Sequence, residues 1–138
     1  RDRTIRYTDL RSAMAEEGVV CLLLLDGALA DKCRGLPAEA FSSPFLGKLF
    51  ALLTEAWSEG RTMTAASLSA HCTPEEMSHL SAILQRPESL ANAERALEDY
   101  IQVILRSAEK RQGERPEDPL LAAVEKYKQK KGNGGKQS

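Results

Sequence analysis

The sequence predicts an all-α protein: a helical bundle of about five or six helices, followed by a C-terminal helix that forms a hairpin-like appendage. Three observations carry this expectation. Leu and Ala supply 37 of the 138 residues while Val and Ile supply eight, a balance that favours helix over strand. Apolar residues recur at helical spacing in several separate stretches. Start and stop signals punctuate those stretches: Ser-Pro, Thr-Pro-Glu-Glu, and a Gly after the last apolar residue.

The first element is "TDLRSAMAEEGVVCLLLLD", read as a helix from about Thr8 to Asp26. Leu10, Met14, Val20, Leu22, Leu24 and Leu25 make it apolar over much of its circumference, which places its second half in the core. A strand over "VVCLLLL" is the competing reading, because a short apolar run is ambiguous by period alone. "GALADKCRG" is a short second helix ending at Gly35. In "SSPFLGKLFALLTEAWSEG", Ser43 caps, Pro44 takes the first helical position and Gly60 closes the end. Its face of Phe45, Leu46, Leu49, Phe50, Leu52, Leu53, Ala56 and Trp57 is wide. "TAASLSAH" is a short helix after Thr64. "TPEEMSHLSAILQRP" carries a capping box from Thr73 to Glu76, with Pro74 in the first turn, and ends before Pro87. "NAERALEDYIQVILRSAEKRQ" starts near Asn92 and keeps a stripe of Leu97, Tyr100, Ile101, Ile104, Leu105 and Ala108. A charged break with Gly113, Pro116 and Pro119 follows. The last helix, Pro119 to Lys131, carries Leu120, Leu121, Val124 and Tyr127 on one face. The expected organisation is a bundle over residues 8–90, a long helix plus terminal helix over 91–131, and a disordered Gly-rich tail over 132–138.

A chain of this length buries roughly two-thirds of its unfolded surface and folds without staples. Its net charge of −1 is unevenly spread: residues 120–138 carry five Lys against one Glu, while residues 1–119 hold 14 basic and 19 acidic side chains. A basic tail suits nucleic acid or an acidic protein surface, and composition does not choose between them. Cys21, Cys33 and Cys72 are an odd count without framework spacing, which predicts free thiols in a reducing cytoplasm. The run "VVCLLLLDGALA" is interrupted by Asp26 and is too short to span a bilayer. It also lacks the layout of a signal peptide. The start at Arg1, without an initiator Met, suggests a piece of a longer protein.

Chemical motifs are sparse. There is no Gly-rich phosphate loop, HExxH, CxxC or serine elbow. Cys33, His71, Cys72 and His79 are the possible metal set, but no close paired spacing supports zinc; two buried or half-buried thiols and two surface imidazoles are the plainer reading. Glu16–Glu17, Glu75–Glu76 and Glu98–Asp99 are adjacent carboxylates that point about 100° apart on a helix. Nothing in the sequence gives them a partner for acid–base work, and Glu75 and Glu76 suit a helix first turn. Trp57 and Tyr100 continue apolar stripes, so packing outweighs ligand binding. Lys126, Lys128, Lys130, Lys131 and Lys136 form a basic cluster without the interleaved aromatics of a stacking platform, and no helix-turn-helix pattern is evident. A solitary helix of about a dozen residues is marginal in water. The terminal stripe must therefore dock on the preceding helix, on the body or on a partner. The physics points to an interaction module rather than an enzyme.

"AEEGVVCLLLLD", "FSSPFLGKLFALLTEAWSEG" and "NAERALEDYIQVIL", in that order, resemble the C-terminal helicase-binding domain of bacterial DNA primase, and "LLAAVEKYKQKKGNGG" resembles the ending of clostridial-type primases. The resemblance covers nearly the whole chain from about Thr8, as a pattern of apolar positions with a few signature words. It implies a helical bundle followed by a helical hairpin that grips the hexameric replicative helicase, in a cytoplasmic protein with no membrane contact. The docking residues would be Leu120, Leu121, Val124 and Tyr127, with Lys128 and Lys131 at the rim. Zinc, magnesium, DNA contact and primer synthesis would belong to other domains of the parent protein, and this piece would need no cofactor. The break at Gly113–Pro119 follows closely on the long helix, so the hairpin would be short. Two alternatives remain: the N-terminal domain of the replicative helicase itself, which has a similar bundle, and a small DNA-binding domain using the Lys-rich tail.

Overall fold

The computed structural model describes residues 6–114. Among them there is no strand. Five α-helices are joined by 3-10 segments: α1 Leu10–Leu25, α2 Pro44–Ser58, α3 Ala65–Leu68, α4 Pro74–Ile83 and α5 Ala93–Glu114, with 3-10 turns at Gly27–Cys33, Ala38–Ala40 and Ser69–His71. The all-α expectation holds.

Helix α1 is the axis of the bundle. Asp9 caps it by accepting from the Ser12 amide at 3.1 Å. Every residue from Ala15 to Leu23 is buried, so the strand reading of "VVCLLLL" gives way to a helix surrounded on all sides. The core has its limits at the two ends: Leu10, Met14 and Leu25 are 66%, 46% and 51% exposed. The apolar pattern groups these three with the core, and they lie instead on its outer flank. The chain leaves α1 at Asp26, whose carboxylate accepts from the Ala28 amide at 3.0 Å. That local bond starts a turn of 3-10 helix, where the sequence alone suggests an ordinary short helix.

Helix α2 forms where the caps predict. Ser43 Oγ accepts from the Leu46 amide, and Pro44 occupies the first turn. At the other end Gly60 adopts φ +75°. Its N–H donates to Trp57 O while Arg61 N–H donates to Ala56 O. These two bonds are a Schellman closure, which needs the left-handed backbone that glycine supplies without strain. Leu46, Leu49 and Phe50 are buried, and Phe50 stacks on Phe41 with ring centroids 4.7 Å apart. Trp57 is half-buried, with Nε1 donating to Asp31 at 3.1 Å, a packing role.

Helix α4 carries the full capping box between Thr73 and Glu76. Lys48 of α2 donates to Glu76 Oε1 at 2.8 Å and to His71 O at 2.8 Å, tying the two helices together. The hydrogen bond from Lys48, with help from the Thr73 amide, holds the Glu76 carboxyl below the usual carboxylate range. A depressed acid contributes stability above its unfolded pKa and loses it as pH falls through the folded value. Glu76→Gln is therefore expected to flatten the acid limb of melting temperature against pH. The bridge is partly exposed, so its contribution is below about 1 kcal/mol; an unchanged acid limb would rule it out.

Helix α5 packs mainly on α1. Leu97 and Ile104 are fully buried in the same core as Leu22, Leu46 and Leu80, and Tyr100, Ile101, Leu105 and Ala108 flank them half-buried. The two helices run antiparallel: Tyr100 lies against Gly18, and Arg111 reaches Asp9 at 3.3 Å and Ala40 O at 2.8 Å. The helix continues through Gly113 to Glu114, past the start of the break expected at Gly113. A single glycine in a helix costs about 1 kcal/mol and need not end it.

Candidate functional site

The six residues the sequence marks for docking, Leu120, Leu121, Val124, Tyr127, Lys128 and Lys131, lie outside the described residues, as does the tail 132–138. What the structure describes is the platform from which that segment departs, and the polar clusters that hold the platform together.

The first cluster surrounds Glu16, which is 0% exposed. Its Oε2 accepts from Ser12 Oγ at 2.6 Å, Ser42 N at 2.8 Å and Ser42 Oγ at 2.7 Å, and its Oε1 accepts from Ser43 N at 3.2 Å. A carboxylate of α1 thus sits at the N-terminus of α2, where exposed amides and the helix dipole favour an anion. Both of its oxygens face these protein donors. It clamps two helices and is sealed from any substrate.

The second cluster begins at Glu17 on the same turn. Tyr7 Oη donates to Glu17 Oε2 at 2.6 Å and also meets His79 Nε2. With the phenol proton committed to Glu17, the Tyr7 oxygen is left to accept from the imidazole. His79 packs edge-on against Tyr7 and Phe45 and is half-buried, so it is not the surface imidazole the sequence suggests. Burial first, then the bond to Glu17, pushes the Tyr7 phenol well above its ordinary pKa. It remains a neutral donor. On the other side of Glu17, Arg86 lies 3.5 Å from the carboxylate. Arg86 also donates to Met14 O at 2.6 Å and to Glu88 at 2.9 Å. Tyr100 Oη donates to Glu88 at 2.6 Å, and burial followed by that bond raises its pKa.

These contacts supply the carboxylates with the partners that the sequence does not reveal. The partners are structural: donors satisfy acceptors across α1, α2, α4 and α5, and the Ser12 and Ser42 hydroxyls donate to a Glu16 carboxylate that is 0% exposed. No group of three or more His, Cys, Asp or Glu is gathered for a metal ion among the described residues. Cys33, His71, Cys72 and His79 are not brought together as ligands. Glu98 and Asp99 lie exposed on α5 beside a shallow groove shared with Lys32 and Arg95, of about 550 Å³. A second, more apolar groove of about 350 Å³ runs between Leu24, Leu25, Ala65 and Leu84 at the far end of α1. No helix among the described residues is long and apolar enough to cross a membrane.

Thiol chemistry separates the three cysteines. Burial pushes the Cys21 and Cys33 thiols up to about 11, and both donate to backbone carbonyls, of Ile83 and Leu29. Cys72 is only half-buried; burial raises its thiol too, while Lys48 pulls it back. Since the thiolate is the reactive form and must be reached by the reagent, a thiol reagent under native conditions is expected to label Cys72 first, and Cys21 and Cys33 only on unfolding. Three equivalents reacting in one fast phase would contradict this packing.

One signal for the Glu16 clamp is present in the sequence. Glu16 lies one turn from Ser12 and from Val19 and Val20, on a face that is otherwise apolar or small, where an ionised side chain needs a partner. The identity of that partner, 26 residues away, is not in the local pattern. No family model, no curated protein and no solved structure matches the chain.

Proposed function

We propose that the chain is the helicase-interaction domain of a bacterial DNA primase, docking the primer-synthesising enzyme onto the hexameric replicative helicase, with no catalysis in this piece. One observation carries the reading beyond the sequence resemblance. The three stretches that bear the resemblance meet in one core, through Leu22, Leu46, Leu49, Leu97 and Ile104, each fully buried. The last of them, α5, then leads to the terminal stretch with its apolar stripe. Inward-facing polar groups that serve each other, rather than a reacting centre, agree with a scaffold that presents a docking element.

The contact would use Leu120, Leu121, Val124 and Tyr127, with Lys128 and Lys131 at the rim tuning association rate more than affinity. Burying one such Leu is worth about 1.5–3 kcal/mol, so Leu121→Asp is expected to weaken binding by about tenfold or more. The measurement is a calorimetric titration against the replicative helicase of the same organism, with circular dichroism to verify the variant's helix content. A folded variant that has lost affinity supports the reading. No binding by the unsubstituted chain overturns it. Binding to DNA instead, falling steeply with salt, would favour the Lys-rich tail as a nucleic-acid element.

A further inference from the structure

We propose that the segment ahead of α1 is a strap that holds α4 down, and that α4 opens as a unit of its own when Tyr7 is released. Helix α4 is lightly held. Of its ten residues, Leu80 and Ile83 are the buried ones, whereas α1 is buried without a gap from Ala15 to Leu23. Helix α1 packs closely along α5 and α2, while α4 reaches the bundle mainly through side chains. A helix of this length is marginal alone, so those side chains decide whether it stays in place.

Both ends of α4 are anchored. At its start Lys48 holds His71 O and Glu76. Beyond its end Arg86 donates to Met14 O and to Glu88. Between these anchors the helix is held by Leu80 and Ile83, by Cys21 Sγ donating to Ile83 O at 3.3 Å, and by His79. The His79 ring packs edge-on against Phe45 of α2 on one hand and Tyr7 on the other.

Tyr7 reaches this place from outside the helices. Glu17 stands about two turns into α1, a rise of about 10 Å from Leu10, yet Tyr7 Oη donates to it at 2.6 Å. The chain ahead of Asp9 therefore doubles back along α1. Arg6 and Thr8 are exposed there, and Tyr7 between them is half-buried. Its phenol bridges the seam, donating to Glu17 on α1 and accepting from His79 on α4. Release of Tyr7 breaks both bonds in one step and returns conformational freedom to the strap. Segments with few buried contacts open below the free energy of global unfolding. Here α1, α2 and α5 keep their mutual packing while α4 lifts. Cys21, whose thiol faces Ile83, is then uncovered; Cys33, bonded to Leu29 O in the Gly27–Cys33 turn, is not. Whatever displaces the strap shifts the population towards the open form. This device is independent of the proposed helicase contact.

The test is residue-resolved hydrogen exchange on the full 138-residue chain, at several urea concentrations below the unfolding transition. The α4 amides from Met77 to Leu84 are expected to exchange through an opening nearly insensitive to urea, because little surface is exposed. The amides of α1 and α5 should follow the steep urea dependence of global unfolding. Tyr7→Phe keeps the ring and removes the hydroxyl. It should speed α4 exchange, and thiol labelling of Cys21, by roughly ten- to a hundredfold, the worth of a hydrogen bond to a charged group. Leu29→Ala weakens the turn that packs on α1, α2 and α5. It should speed α1 and α5 exchange and leave the α4 opening unchanged. Amides of α4 that exchange only together with α1 and α5, with the same urea dependence, overturn the separate opening. So does an α4 rate that rises in Leu29→Ala as much as that of α5. An α4 rate unchanged by Tyr7→Phe overturns the strap.

Discussion

Glu16→Ala should lower the stability of the bundle by about 2–6 kcal/mol, the cost of stranding two backbone amides that now donate to its carboxylate. Removing the carboxylate leaves Ser12 Oγ, Ser42 N, Ser42 Oγ and Ser43 N facing a void. The hydroxyls can rotate to other acceptors, but the two amides cannot, and each stranded buried donor costs about 1–3 kcal/mol. Glu16→Gln should cost less, about 1.5–3 kcal/mol, because one amide oxygen can replace Oε2 while its NH₂ opposes the Ser43 amide. Ser42→Ala removes one of four bonds and leaves the backbone donor in place, so about 1 kcal/mol is expected. The descending order of loss, Glu16→Ala, then Glu16→Gln, then Ser42→Ala, read from urea midpoints at constant slope, tests the clamp as a network. A Glu16→Ala loss below about 1 kcal/mol, in the range of ordinary surface changes, would remove Glu16 from the interior.

The clamp also explains why part of the molecule can be read from sequence and part cannot. Ser43 and Pro44, Thr73 with Glu76, and Gly60 act on groups within three or four residues, so their signals are complete in short words and the structure repeats them. The helix over "VVCLLLL" follows from the same local logic once Ala13 to Glu17 precede it. Partners at long separation carry no such signal. Glu16 meets Ser42 across 26 residues and Tyr7 meets His79 across 72. A pair of adjacent acids therefore reads as carboxylates without a partner, and His79 reads as a surface group. The exposure of Leu10, Met14 and Leu25 is hidden for a related reason. Which side of a wholly apolar helix stays uncovered depends on where the other helices lie. The docking residues from Leu120 to Lys131 fall outside the described residues, so their assignment stands on sequence.

Gly18→Ala should destabilise the protein by about 1–3 kcal/mol, the usual cost of forcing extra volume into a packed site, although helix propensity alone would make it stabilising by about 1 kcal/mol. A Cβ at position 18 would fall 2.4 Å from one carbon of the Tyr100 ring and 2.6 Å and 2.8 Å from two others. The ring has little freedom to retreat, because its hydroxyl is bonded to Glu88 and Arg86. The sign reversal makes the contact testable against a second substitution. In Tyr100→Ala the obstacle is gone, so adding Gly18→Ala to it should be neutral or stabilising, up to the full propensity gain. A single Gly18→Ala variant that gains stability would show that Tyr100 does not rest there. The consequence extends along both helices. The spacing of a packed pair is set by the side chains at the crossing, so α5 pushed away at Gly18 also draws Arg111 from Asp9 and Ala40. The double variant, by relieving the crossing, should restore that closure.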